Sequence, residues 1–288
     1  MEEQRKKAYT ALTKKLLAAS SQQEQIQILQ QHHDLVDDGL IKMIRLIAAD
    51  FDEQESNSAK WLRNLAQYLT LYIESTQPTK ADFKFLLEIL KIIDDEEEKE
   101  QIYELLRQNQ DKLNSRLANA LRIWADNTLA TLETEQKSAL GYVIGNFSIY
   151  LQEFPLGNRA DNIDIVITCA RTILNIFTQT DFPQDWAGTQ NNLGIAYSTR
   201  IKGERAENIE NAIFAYQQAL IVRTQKDFPY EWAATQNNLG LAYSTRIKGE
   251  RAKNIENAIF AYQQALIVRT QKDFPYEWAA TQNNLGLA

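Results

Sequence analysis

A 46-residue unit recurs almost without change in the C-terminal part of the chain. Residues 273–288 repeat 227–242 without a difference, while 181–226 and 227–272 differ at five positions: Gln184/Tyr230, Asp185/Glu231, Gly188/Ala234, Ile195/Leu241 and Glu207/Lys253. A tandem unit of this length predicts one supersecondary structure per copy. Each copy stacks against the next, because a single copy cannot bury its own apolar face.

A diverged copy precedes the near-identical ones. A shift of 46 places Gly203 on Gly157 and Asn208 on Asn162, which defines a unit over 134–180. We therefore predict two domains. Residues 1–133 form an N-terminal helical domain, and 134–288 form the repeats: 134–180 (diverged), 181–226, 227–272 and 273–288 (incomplete).

Each unit predicts a pair of amphipathic helices, since its apolar residues recur at three, four and seven. The first helix runs from Pro183 to about Ile201, because proline suits a first helical turn. Gly203 is expected to end it. The second helix begins near Ile209 with Asn208 as its cap. Residues 1–133 lack the period but also predict helices, over 2–18, 22–31, 39–51, 57–75, 80–93, 96–108 and 110–131.

The small and large residues of the pair resemble the tetratricopeptide (TPR) signature. Leu193-Gly194-x-x-Tyr197 matches its first helix, and the second helix matches at Ala212, Tyr216 and Ala219. The resemblance implies an all-α TPR-like α-solenoid, a right-handed superhelix of antiparallel helix pairs. A standard unit has about 34 residues. The longer unit with Asn191-Asn192-Leu193-Gly194 is similar to the kinesin-light-chain-like branch.

Two further segments resemble the N-terminal half of a bacterial TPR-array family that often carries a caspase-like CHAT peptidase domain. They are Asp34-Leu35-Val36-Asp37 and Gly145-Asn146-Phe147, the latter continuing to Phe154-Pro155-Leu156-Gly157. This resemblance implies a protein- or peptide-binding scaffold that serves as the sensor or regulatory arm of a larger protein. The alternatives are the recognition portion of a CHAT cysteine peptidase whose catalytic domain lies outside this chain, and a purely structural array.

The end of the last repeat carries an expectation of its own. Residues 273–288 supply a first helix, with Trp278 and Leu285, but no second helix to cover it. Because an uncovered solenoid end exposes its apolar face, we expect that the chain is a fragment of a longer protein, or that this end self-associates with another copy.

Few residues could carry catalysis or bind a metal. The single cysteine, Cys169, lies among aliphatic residues and is interpreted as a small buried hydrophobe. The histidines are His32 and His33, and no cysteine or further histidine completes a structural metal site. We therefore predict no catalytic residue, metal or cofactor, and a protein that is not an enzyme.

The resemblance to TPR units implies that the first helices line a peptide-binding groove. Asparagine offers donors and an acceptor, so it can hold an extended peptide backbone without selecting its sequence. The predicted groove residues are Asn191, Asn192, Ile195, Ser198, Asn237, Asn238, Leu241, Ser244, Asn283 and Asn284. The alternative is that the asparagines only tie helix to helix within the array.

Charge suggests a second surface. Cations recur in the loop within each pair and form a basic edge that either docks an acidic partner or is simply solvated: Lys202, Arg205, Lys248 and Arg251. The net charge of −7 disfavours nucleic acid, which binds basic surfaces. The acidic run Asp94–Glu98 is interpreted as a solvated helix start. Without a signal peptide or a long apolar segment, a soluble cytoplasmic protein is expected.

Overall fold

The computed structural model describes residues 2–19, 21–32, 35–50, 57–94 and 99–288. The described residues are predominantly α-helical and contain no β-strand, which confirms the predicted all-α class. None of the described helices is long and apolar enough to cross a membrane. His33, Asp34 and the acidic residues 95–98 lie outside the described residues. Contacts divide the chain into two compact units, Met1–Gln77 and Pro78–Ala288.

The first unit is a small helical bundle. Its helices are α1 (Glu2–Ala18), α2 (Gln22–Gln31), α3 (Asp38–Asp50) and α4 (Asn57–Thr76). The core lies chiefly between α1, α3 and α4, which supply most of its buried apolar side chains. Fully buried side chains include Leu16, Leu40, Ile44, Leu62 and Leu69.

The second unit begins before the repeats. Its first helices are α5 (Lys80–Asp94), α6 (Lys99–Gln108) and α7 (Ser115–Leu129). Because α5 and α7 pack on the first repeat pair, the contacts group residues 78–133 with the repeats, whereas the sequence placed them with the N-terminal region. The helix predicted over 110–131 is wrong at its start. A 3-10 turn ends at Lys112, and the side chain of Asn114 then caps α7.

The repeats form successive helix pairs, each helix packing mainly on its neighbours in sequence. The first pair is α8 (Thr134–Glu153) and α9 (Arg159–Leu174). The later helices are α10 (Pro183–Thr199), α11 (Arg205–Val222), α12 (Pro229–Ser244), α13 (Arg251–Val268) and α14 (Pro275–Leu287). Each of α10, α12 and α14 begins at its proline, as predicted.

The loop within the pair differs from the prediction. The second helix α11 begins at Arg205, so Asn208 lies inside it and is not its cap. Asn208 is buried, and its amide donates to the carbonyl of Lys202 (2.8 Å). Gly203 has a φ of 75° but follows the end of α10 by several residues. The buried asparagine therefore closes a loop that needs a left-handed residue, and neither residue terminates a helix.

A glycine and a tyrosine set the distance between the helices of each near-identical pair. A Cβ atom on Gly194 would lie 2.5 Å from the ring of Tyr216, and one on Gly240 would lie 2.7 Å from Tyr262. Such distances are far below van der Waals contact, so only glycine admits the ring at this spacing. Small residues at these positions therefore have a packing role, as the repeat pattern predicts.

Candidate ligand cleft at the first repeat junction

We call the interface between units 181–226 and 227–272 the second junction. Side-chain hydrogen bonds connect the two units there. The Asn191 Oδ1 accepts a hydrogen bond from Asn238 Nδ2 at 3.3 Å. It also lies 3.3 Å from Thr235 Oγ1, whose single proton it shares with the Glu231 carbonyl of the same helix as Thr235 (2.8 Å). Asn191 is only 8% exposed. At the next junction along the chain, Asn284 Nδ2 donates to Asn237 Oδ1 at 3.2 Å. Asn191, Asn237, Asn238 and Asn284 therefore form hydrogen bonds between units.

An arginine adds to the closure of the second junction. Arg223 Nη1 donates to Thr235 Oγ1 at 3.0 Å, and Arg269 makes the same bond to Thr281 (3.1 Å) one unit later. Burial lowers the pKa of Arg223, and the negative charge of Glu231 opposes that shift. The guanidinium lies between the first helices α10 and α12, close to Gly188 of α10 and hydrogen-bonded to Thr235 of α12.

The interface between 134–180 and 181–226, the first junction, lacks these links. A shift of 46 places Gly145 where Asn191 stands and Phe177 where Arg223 stands. Thr189 and Asn192 are the counterparts of Thr235 and Asn238 but face a glycine. Among the described residues, the Thr189 hydroxyl donates only to the carbonyl of Asp185 in its own helix (2.8 Å).

A cleft of about 380 Å³ occupies the first junction in place of the missing links. Its walls come from α8, α10, the end of α9 and the segment that joins α11 to α12. Apolar groups contributing to its lining are Ile149, Ile173, Phe177, Val222 and Phe228. Polar groups in the same lining are Tyr142, Asn146, Ser148, Gln184, Asp185, Thr189, Asn192, Arg223 and Glu231.

Phe177 is fixed against the wall of the cleft by its neighbours. Its ring lies 5.1 Å from that of Tyr142 and 5.2 Å from that of Phe182, centroid to centroid. A Cβ on Gly141 would come within 2.7 Å of the Phe177 ring, so glycine is needed for this close approach. The apolar part of the cleft is therefore held in place before any ligand arrives.

The charged groups of the cleft are two carboxylates and one guanidinium, Asp185, Glu231 and Arg223, which gives a formal charge of −1. The pKa of Tyr142 is raised by burial, and the charge of Asp185 and a hydrogen bond to it act in the same direction. The phenol is thus neutral at physiological pH, and its hydroxyl proton is donated to Asp185. The arrangement is suited to binding and orienting a ligand through apolar contact and hydrogen bonds.

Asn192 is the one side chain of the predicted peptide groove that lines this cleft. It is exposed, and its Oδ1 accepts a long hydrogen bond from Asn191 Nδ2 (3.4 Å). Ser198 and Ser244 donate to carbonyls of their own helices, at Ile195 (2.8 Å) and Leu241 (2.9 Å).

The remaining predicted groove positions lie outside the cleft lining. Ile195 is partly buried against the core, whereas Leu241 and Asn283 are exposed. Of the predicted groove residues, the lining of the cleft therefore includes Asn192 alone.

The four cations of the predicted basic edge bind other residues of the same chain. Lys202 pairs with Asp161 (2.5 Å) in the preceding unit, and Lys248 pairs with Glu207 in the same way. Arg205 and Arg251 each donate to the last-turn serine carbonyl of the preceding first helix, at Ser198 and Ser244. These cations fasten loops and neighbouring units to one another.

Two arginines form further ion pairs beside the predicted basic edge, one at each junction. Arg200 Nε lies 2.7 Å from Asp164 at the first junction, and Arg246 binds both carboxylate oxygens of Glu210 at the second (2.7 Å each). Both junctions are thus tied at the loop edge, and they differ on the side where the cleft lies.

Cys169 is completely buried in α9, and burial raises its thiol pKa. It occupies the position of Ala215, so its interpretation as a small core hydrophobe is confirmed. Within the described ranges, no group of three or more His, Cys, Asp and Glu side chains could hold a metal ion.

Most of the cleft was not predicted from the sequence, because the predicted site consisted of residues that recur from unit to unit. The useful signal was the opposite one: positions where the diverged unit departs from the others, namely Gly145 against Asn191 and Phe177 against Arg223. Comparison with known proteins adds nothing to this geometry. No protein-family model, curated protein or solved structure matches the chain.

Proposed function

We propose that residues 134–288 form a TPR-type array whose first junction binds an extended peptide segment of another protein. The observation that carries the proposal is the cleft itself. It lies where the side-chain link between units is replaced by a glycine, and it combines a fixed apolar wall with several hydrogen-bonding groups. Pockets of this kind, apolar with a few placed polar groups, are the usual form of a binding site.

The lining favours a particular peptide chemistry. Ile149, Phe177 and Val222 would contact a large apolar side chain of the ligand, while Thr189 and Asn192 would hydrogen-bond its backbone. The formal charge of −1, set by Asp185 and Glu231 against Arg223, favours a basic residue next to the apolar one. The expected ligand is therefore a short segment with an apolar anchor flanked by lysine or arginine.

Peptide display against the purified chain tests this proposal. We expect the selected sequences to share an apolar anchor with a basic neighbour. Gly145→Asn should reduce their affinity about tenfold or more, because the new amide fills the cleft and bonds Thr189 and Asn192. The substitution is compatible with folding, since a Cβ on Gly145 meets only Ile173 at 3.9 Å, an ordinary contact.

Gly286→Asn serves as the matched control, because this helical glycine has no neighbour within 4 Å of an added Cβ and lies far along the array from the cleft. It should leave peptide affinity unchanged. Selected peptides that bind Gly145→Asn as tightly as the original chain would show that the cleft is not their site. A selection that yields no binding sequence would also contradict the proposal.

A further inference from the structure

A row of large apolar side chains is exposed on the second helices of the two near-identical units. Phe214 and Ile221 on α11 are 61% and 53% exposed, and Phe260 and Ile267 on α13 are 61% and 51% exposed. Within each helix the two residues are seven apart, so they lie on one face two turns from each other. We call these four residues the outer stripe. None of them lines the cleft.

Folding of the helix pair does not require apolar side chains at these positions. The diverged unit has Thr168 and Asn175 in the places of Phe214 and Ile221, and α9 still forms and packs in the same order. Apolar residues that are half exposed or more, and that are repeated in register on adjacent units, mark a surface that another molecule covers.

The residue seven positions before each phenylalanine carries a charge, and the two charges are opposite. Glu207 precedes Phe214 and Lys253 precedes Phe260, and this pair is one of the few differences between the units. Both side chains are exposed. Glu207 also pairs with Lys248, whereas Lys253 has no ion pair among the described residues.

We propose that the outer stripe joins two copies of this chain. A two-fold axis parallel to α11 and α13, lying between them, brings α11 of one copy against α13 of the other. Phe214 then meets Phe260, and Ile221 meets Ile267. The same rotation places Glu207 opposite Lys253 of the second copy, twice in one symmetric interface, as an isologous contact requires. The charge difference between the units therefore selects this pairing over α11 against α11.

Mixing two charge variants tests the pairing. Glu207→Lys alone would set lysine against lysine at both contacts, and Lys253→Glu alone would set glutamate against glutamate. Each should associate about tenfold more weakly than the original chain. An equal mixture should associate again, because every contact in the mixed dimer then joins lysine to glutamate. Sedimentation velocity would follow the mass, which is twice 33.1 kDa for the dimer.

The mixture also controls for damage to the fold. Glu207→Lys loses its bond to Lys248 whether it is alone or mixed, so recovery in the mixture cannot come from that bond. Phe214→Ser with Phe260→Ser, both at exposed positions, should give a monomer with unchanged circular dichroism. A monomeric original chain at every concentration, a dimer that survives the double serine variant, or a mixture no heavier than its components would each overturn the proposal.

Discussion

The first and second junctions join helix pairs that follow one another in the same order, yet they are closed in different ways. At the second junction the Asn191 amide binds Thr235 and Asn238, and Arg223 reaches the same threonine. At the first junction Gly145 stands in the place of that amide, and a cleft of about 380 Å³ is present instead. The difference shows how a repeat array can hold a cleft: the cleft lies where a glycine stands in place of a linking side chain.

The units on either side of the first junction remain packed together, because other interactions between them do not depend on an asparagine at position 145. The apolar core continues from α5 through α12 without interruption at the first junction. The loop-edge ion pairs of Arg200 with Asp164 and of Arg246 with Glu210 are present at both junctions. Core burial supplies most of the stabilisation, since partly exposed ion pairs contribute only about 0–1 kcal/mol each. An open cleft is therefore compatible with a stable interface.

The largest expected effect separates the near-identical units from the diverged one. Gly194→Ala should lower the free energy of unfolding by about 1–3 kcal/mol, because the new methyl group overlaps the ring of Tyr216. The corresponding residues of the diverged unit are Ser148 and Ala170, and Ser148→Ala should change stability by less than about 0.5 kcal/mol. Urea denaturation of the variants measures both.

A glycine at the same repeat position gives the control for Gly194→Ala. Gly286 has no atom within 4 Å of an added Cβ, so Gly286→Ala should be neutral or slightly stabilising through helix propensity. Equal destabilisation by Gly194→Ala and Gly286→Ala would show that backbone flexibility, and not contact with the tyrosine, decides the outcome.

The sequence predicted the helix pairs because their signals are local and repeated. The prolines at 183, 229 and 275 and the apolar spacing give the start and type of each first helix. The prediction that Asn208 caps the second helix was wrong. From the sequence, an asparagine that caps a helix cannot be told apart from one whose buried side chain bonds a loop carbonyl. Only tertiary burial, with the bond to Lys202, separates them.

The cleft was not predicted for a related reason. A search for recurring asparagines finds Asn191 and Asn237, whose amides bind the next unit and are the least available for a ligand. The cleft depends on which side chain faces which across a junction, and that pairing follows from packing. The ion pairs of Lys202 and Lys248 were missed likewise, since their partners lie 41 residues earlier in the chain.

A glycine in place of Asn191 would remove the side-chain link that distinguishes the second junction from the first. Asn191→Gly should lower the free energy of unfolding by about 1–2 kcal/mol, because Asn238 loses its inter-unit acceptor, Thr235 keeps only the Glu231 carbonyl, and the helix gains a glycine. Hydrogen exchange should also quicken in α12, which these bonds hold against α10. The experiment makes the second junction resemble the first.

Asn192→Gly is the matched control for that change. It introduces the same glycine into the same helix, but Asn192 is exposed and binds no residue of the next unit in the part of the chain that the structure describes. Its effect should be about 0.5 kcal/mol, from helix propensity and from the long bond that Asn191 Nδ2 loses. Similar losses for the two variants would mean that the asparagine link contributes nothing to the closure of the second junction.

The smallest expected effect concerns the loop edge, where the two junctions are alike. Hydrogen bonding from Arg246 holds the pKa of Glu210 below its ordinary value of 4.5. A carboxyl whose pKa is lowered by folding stabilises the protein above the unfolded pKa, and that contribution is lost as the pH falls through the folded value. Glu210→Gln should therefore cost about 0.5–1 kcal/mol at pH 7 and almost nothing once Glu210 is protonated in the original chain. Glu256→Gln, one unit later and without an ion pair among the described residues, should cost less than Glu210→Gln at pH 7. A deficit for Glu210→Gln that persists unchanged in acid would mean that shape and hydrogen bonding at this position, and not its charge, hold the second junction at its edge.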